Sequence, residues 1–140
     1  MRRMLLAPLA VLVLAASACG GGATATDSGE TPNLTVGLAD FKVTVDHASI
    51  PAGHVVIGVR NAGSMPHELK VIKTDQAPDK LPVDGATAKA SEDGKVGELL
   101  NIPAGASRKL VLELAAGKYV LICNVAGHYQ LGMRTGLEVK

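Results

Sequence analysis

Aromatic side chains are nearly missing from these 140 residues: there is no Trp, one Phe (Phe41) and two Tyr (Tyr119 and Tyr129). Surfaces that stack bases or sugars need more than that. An excess of either charge is missing too, since 14 Lys and Arg face 13 Asp and Glu for a net +1. Nucleic-acid binding rests on a dense basic footprint, so no nucleic-acid partner is expected. Cysteine is scarce. Cys19 and Cys123 allow one bridge at most and exclude a disulfide-rich scaffold. Enzyme motifs are absent: no Gly-x-Ser-x-Gly elbow, no phosphate-binding glycine loop and no His-Glu-x-x-His zinc motif. What is left is a single domain of ordinary size. The purpose of each cysteine becomes the leading question.

The first segment reads as an export signal. Arg2 and Arg3 make a basic start, Leu5 to Ala16 is an apolar run broken by Pro8, and small residues lead to Cys19. The run is too short for an ordinary membrane-spanning helix. Ala16-Ser17-Ala18-Cys19 is similar to the bacterial lipoprotein box, with Ala16 where Leu is usual. Residues 1–18 are therefore expected to be a signal peptide and Cys19 a lipidated N-terminus. The alternative is a secreted protein cleaved near Ala18. Residues 19–33, rich in Gly, Thr and Ser, have no apolar periodicity and are expected to be a flexible tether. Loss of Arg2 and Arg3 keeps the mature charge near neutral.

From Leu34 to Lys140 the dominant period is two. Leu34, Val36 and Leu38 alternate with Thr35 and Gly37, and Val55, Ile57 and Val59 repeat the pattern. So do His67, Leu69 and Val71; Leu110, Leu112 and Leu114; and Tyr119, Leu121 and Cys123. Such alternation marks strands with one buried face. Turn signals separate them at Ile50-Pro-Ala-Gly53, Asn61-Ala-Gly63, Ile102-Pro-Ala-Gly105 and Ala116-Gly117. The fold class is all-β. Seven or eight strands in a Greek-key β-sandwich or barrel are expected over residues 34–140. Residues 75–95 fit poorly, with Pro78, Pro82, Gly85, Gly94 and many charges. They are expected to form a surface excursion with one short helical turn.

The chemistry is concentrated near the C-terminus. Cys123 ends a strand, and the loop after it supplies His128 and Met133 at five-residue intervals. A second imidazole, His67, follows Ser64-Met65-Pro66. One thiolate, two imidazoles and a weak thioether are the ligand set of a blue-copper electron-transfer site. Cys123 alone would be an inert core cysteine. A Cys19–Cys123 bridge would fold the tether back and forgo lipidation. His47 and His54 lack ligand-like neighbours and are expected to be solvated, as are the scattered Lys70, Lys73, Lys80, Lys89 and Lys95.

Asn61-Ala-Gly-Ser-Met-Pro66-His67-Glu68, followed by Cys123-x4-His128-x4-Met133, resembles the cupredoxin family of blue copper proteins. The Gly-His-Tyr-x-x-Gly-Met wording is most similar to its sulfocyanin and rusticyanin types. The resemblance implies one type 1 copper, with His67, Cys123 and His128 equatorial and Met133 axial. It also implies coordination through the ring nitrogens nearer the backbone, and His128 as the electron port. The chain departs from many relatives at Glu68, where Asn or Ser ties the ligand loops together. An ionised carboxylate donates no hydrogen bond, so the tie must differ. Asn124, directly after the thiolate, is a candidate donor around the metal. Met65, Pro66, Val125, Ala126, Tyr129 and Leu131 are candidates for an apolar docking patch.

These features together imply a monomeric, non-enzymatic carrier of single electrons through Cu(I)/Cu(II), lipid-anchored to the outer face of a bacterial cytoplasmic membrane. Its electron donor and acceptor would be proteins such as a cytochrome, a quinol-oxidising complex or a terminal oxidase. A copper-buffering or copper-delivery protein is the alternative, because it would use the same ligands. A soluble secreted or periplasmic protein is the alternative location.

Overall fold

The computed structural model describes residues 29–140. The expected signal peptide and Cys19 lie outside the described residues. The described chain is built from strands, without a helix. They are β1 (Leu34–Ala39), β2 (Lys42–Val45), β3 (Ser49–Ile50), β4 (Gly53–Asn61), β5 (His67–Lys73) and β6 (Val83–Asp84). Then come β7 (Lys89–Ala90), β8 (Lys95–Ile102), β9 (Ser107–Leu114), β10 (Gly117–Ile122) and β11 (Arg134–Val139).

Two sheets face each other. One has the order β2-β1-β4-β9, the other β3-β11-β10-β5-β8, and β6 and β7 form a separate ribbon. The β1–β4 and β3–β11 pairs are parallel and the rest antiparallel. Parallel neighbours cannot be joined by a tight hairpin, so the chain must cross between sheets, as in a Greek key. This is the expected all-β sandwich. The additional strands are the two-residue pieces β3, β6 and β7.

The period-two residues meet in the middle. Leu34, Val36 and Leu38 of β1, Val55, Ile57 and Val59 of β4, and Leu110, Leu112 and Leu114 of β9 pack against Leu69, Val71, Leu121, Leu137 and Val139. Burying each such side chain contributes about 1.5–3 kcal/mol. Cys123 and Met133 belong to the same cluster, so the chemical end of the molecule is continuous with its core.

Residues 75–95 do not make the expected helical turn. They form the β6–β7 ribbon. The Asp84 carboxylate accepts the amides of Ala86 (2.7 Å) and Thr87 (3.1 Å), and Ala88 takes a φ of 54° to close the turn. This excursion covers the outer face of the five-stranded sheet. There Ile72, Leu81, Ala90, Val120, Ile122 and Tyr129 form a second apolar cluster. Strands β5 and β10 are thus covered on both faces, which accounts for the unbroken apolar runs Val71-Ile72 and Val120-Leu121-Ile122. The described end of the expected tether also differs from a free linker. Asn33 exchanges hydrogen bonds with Val56, and Glu30 reaches His54.

Candidate metal centre

The five-stranded sheet presents its chemistry where β10 stops. Cys123 follows Ile122 directly and is fully buried. Its amide donates to the Met133 carbonyl at 3.1 Å, and the Met133 amide donates to the His128 carbonyl at 3.0 Å. These bonds close residues 123–133 into a compact loop. Gly127 (φ 80°) and Gly132 (φ 121°) supply its left-handed turns, where a side chain would be strained. His67 arrives from the opposite side as the first residue of β5. The approach to it is held by Asn61, whose buried amide donates to the carbonyls of Met65 and Ile102, both at 2.9 Å.

Three donors converge. Cys123 Sγ stands 3.8 Å from His67 Nδ1 and 3.6 Å from His128 Nδ1. All three donor atoms lie within 4.8 Å of one another, and all three residues are buried. Donors bonded to one ion at about 2.0–2.3 Å in a plane stand roughly 3.5–4 Å apart, so the geometry fits a single ion. Met133, also fully buried, closes the loop beside them.

Burial pushes the Cys123 thiol up, against the pull of the Glu68 and Val125 amides. A metal ion reverses that balance by binding the thiolate. Burial also lowers the His128 pKa, and the neighbouring His67 adds to the effect. A neutral imidazole keeps a lone pair on whichever ring nitrogen lacks the proton.

The loop tie expected to differ at Glu68 is made by its backbone. Pairing of β10 with β5 ends at Ile122 and Lys70. Two residues further on, the Glu68 amide meets sulfur and donates to Cys123 Sγ at 3.4 Å. The Glu68 side chain turns away, with Oε1 3.8 Å from Lys70 Nζ. Asn124 does not reach the sulfur. Its side chain accepts the Ala90 amide and donates to the Ala90 carbonyl and to Glu92, so it fastens the ribbon to the loop.

The docking-patch candidates divide. Pro66, Ala126 and Leu131 are exposed, Leu131 by 61%, and Met65 and Val125 are partly so. Tyr129 is a correction, being 3% exposed. Its ring belongs to the second apolar cluster, and its hydroxyl donates to the Pro78 carbonyl at 2.8 Å and accepts the Leu81 amide at 2.9 Å. The excursion that covers it was not legible as a cover. Lys70 is a second correction. It is buried and faces Glu68, Glu92 and Glu98, because a buried ammonium needs partners.

Sequence reasoning missed two residues in the turn between β1 and β2. Phe41, 41% exposed with a φ of 64°, packs edge-on against His128 with ring centroids 5.6 Å apart. Asp40 Oδ1 lies 3.1 Å from His67 Nε2. Its carboxyl is held below the ordinary value, first by hydrogen bonds from Ser64. The available signal was a lone Phe interrupting two strands.

Residues 37–140 match the family model of the sulfocyanin (SoxE) domain. The chain belongs to that family. Solved structures share its cupredoxin fold. Auracyanin from the photosynthetic bacterium Roseiflexus castenholzii is 18% identical, with a TM-score of 0.56 over 76% of this chain and 94% of that one. Auracyanin B is 21% identical, with a TM-score of 0.53 over 80% and 92%. Rusticyanin from Thiobacillus ferrooxidans is 18% identical, with a TM-score of 0.56 over 76% of each chain. No curated protein matches the chain. The sulfocyanin-family assignment and the thiol–imidazole donor set agree on one type 1 copper as cofactor. When bound, that ion supplies a one-electron Cu(I)/Cu(II) couple. Proteins of this family carry electrons. No helix among the described residues is long and apolar enough to cross a membrane.

Proposed function

We propose that this sulfocyanin-family chain transfers single electrons between membrane or cell-surface redox proteins. In this reading Nδ1 of His67, Sγ of Cys123 and Nδ1 of His128 would hold the copper, with the Met133 thioether as a fourth, weaker donor. The observation that carries it is the convergence of three buried donor atoms within 4.8 Å. Cys123 and Met133 are part of the core, and His67 is fixed at a strand start. The donors therefore have little freedom to rearrange when the charge changes. His128, under Phe41 and near the exposed Leu131, is the port through which the electron passes. A small apolar surface there suits brief encounters, which bury little area.

The remaining parts extend the same reading. Residues 1–18 direct export, Cys19 carries lipid, residues 19–33 bridge to the domain at 34–140, and the protein works as a monomer on the outer face of the cytoplasmic membrane. Anchoring raises the effective concentration of partners on that surface. A cytochrome, a quinol-oxidising complex or a terminal oxidase fits as donor or acceptor.

Addition of Cu(II) to the protein tests the ligand assignment. An intense thiolate-to-copper band is expected, and Cys123→Ser should abolish it. Persistence of the colour in that variant refutes the assignment. Electron self-exchange then tests the role: fast exchange supports the carrier, whereas slow exchange with ready release of Cu(I) to an acceptor protein supports delivery.

A further inference from the structure

Asp40 occupies the turn between β1 and β2, 27 residues before His67 in the chain. The His67 side chain is fully buried, whereas Asp40 is 34% exposed. The carboxylate therefore spans from solvent to the far edge of a buried ring, 3.1 Å from Nε2. It is not free to swing away. The Ser64 amide donates to both of its oxygens at 3.1 Å, and the Ser64 hydroxyl donates to Oδ2 at 2.7 Å.

A second, independent observation points to the same contact. A Cβ added at Gly63 would overlap Asp40 Oδ1 and stand 2.8 Å from His67 Nε2. Gly63 does not have a left-handed φ, so its backbone conformation asks nothing of glycine. The requirement is space, and the space is that occupied by the carboxylate and the ring edge.

We propose that Asp40 sets the reduction potential of the site. Its carboxylate, clamped by Ser64 in the gap left by Gly63, accepts the Nε2–H of His67 and favours the oxidised metal. The inference rests on the assignment of His67 as a ligand through Nδ1. With Nδ1 turned towards Cys123 Sγ, the ring proton belongs at Nε2, and a carboxylate there fixes that tautomer. An anionic acceptor also makes the opposite nitrogen more basic. A more basic donor gains more from a doubly charged ion than from a singly charged one. Asp40 thus strengthens Cu(II) binding more than Cu(I) binding and lowers the potential. Asp40 is a positioning and tuning residue, since it acts through His67.

Asp40→Asn keeps the size and removes the charge. The copper-loaded variant should retain the thiolate-to-copper band. Its Cu(II)-to-Cu(I) affinity ratio should fall about tenfold, an upward potential shift of about 59 mV for a one-electron couple. Gly63→Ala, which displaces the carboxylate from the other side, should shift the potential in the same direction. Asp84→Asn, in the ribbon, is the control for general charge and should leave the potential unchanged. An Asp40→Asn potential equal to that of the wild type overturns the proposal, and so does an equal shift in Asp84→Asn. Failure of the wild type itself to form the thiolate band would instead refute the ligand assignment, so the two failures are separable.

Discussion

Tyr129→Phe removes one oxygen and tests how the metal loop is supported. That oxygen donates to the Pro78 carbonyl at 2.8 Å and accepts the buried Leu81 amide at 2.9 Å. The ring packs against Ile72, Leu81, Ala90, Val120 and Ile122, and phenylalanine keeps these apolar contacts. The change therefore isolates two hydrogen bonds that tie the excursion to the loop. Each contributes about 1 kcal/mol net, and leaving a buried amide without a partner costs about 1–3 kcal/mol. The expected loss is about 2–4 kcal/mol. Urea denaturation of the metal-free protein measures it, with a lowered midpoint and an unchanged slope. Hydrogen exchange at the Leu81 amide should accelerate with it, because that amide opens to solvent. A loss below about 0.5 kcal/mol, the range of neutral surface changes, would refute the reasoning.

Two further outcomes follow from the ribbon and its anchor. Burial by itself would raise the Glu92 pKa, but hydrogen bonds from Lys95 and Asn124 and the charge of Lys70 bring it from 4.5 down to about 2. A carboxyl with a lowered folded pKa stabilises fully above its unfolded value and loses that contribution as pH falls through the folded one. Wild-type stability should thus decline from near pH 4.5 towards pH 2, and Glu92→Gln should flatten part of that decline, by about 1–2 kcal/mol after screening at its partly exposed oxygens. Parallel curves for the two proteins would exclude this account; Glu98, also lowered by Lys70 and Lys95, and Asp40, lowered by Ser64, add to the residual slope. Gly94→Ala combines a φ of 82° with a Cβ that overlaps the Lys73 carbonyl, whereas Gly105→Ala has a φ of 75° and open space. The first should lose clearly more than the about 1 kcal/mol typical of a left-handed alanine, and the second only about that much. Equal denaturation midpoints for the two variants would show that the carbonyl contact carries no cost.

The strands and the C-terminal part of the site were legible because their determinants are local. Period-two alternation depends only on which side chains share a sheet face. Cys123, His128 and Met133 sit on one loop, and their mutual placement follows from its length and its turns at Gly127 and Gly132. His67 was readable through the wording around it. Residues 75–95 were not: proline, glycine and charge predict an excursion, but not the Asp84-centred turn that makes it a ribbon. Glu68 shows the same limit, since its side-chain chemistry suggested a missing tie while its backbone amide makes one.

By itself the sequence determined that this chain is an all-β domain carrying one thiol, two imidazoles and a thioether in copper-binding order. Only the tertiary structure decided which faces are covered. It put Tyr129 beneath the excursion, drew Lys70 into a cluster of carboxylates, laid Phe41 on His128 and set Asp40 against His67. Alternation states that a residue leaves one face of a strand, not what lies above the other. The covering groups come from segments tens of residues away, and chain folding alone brings them into contact.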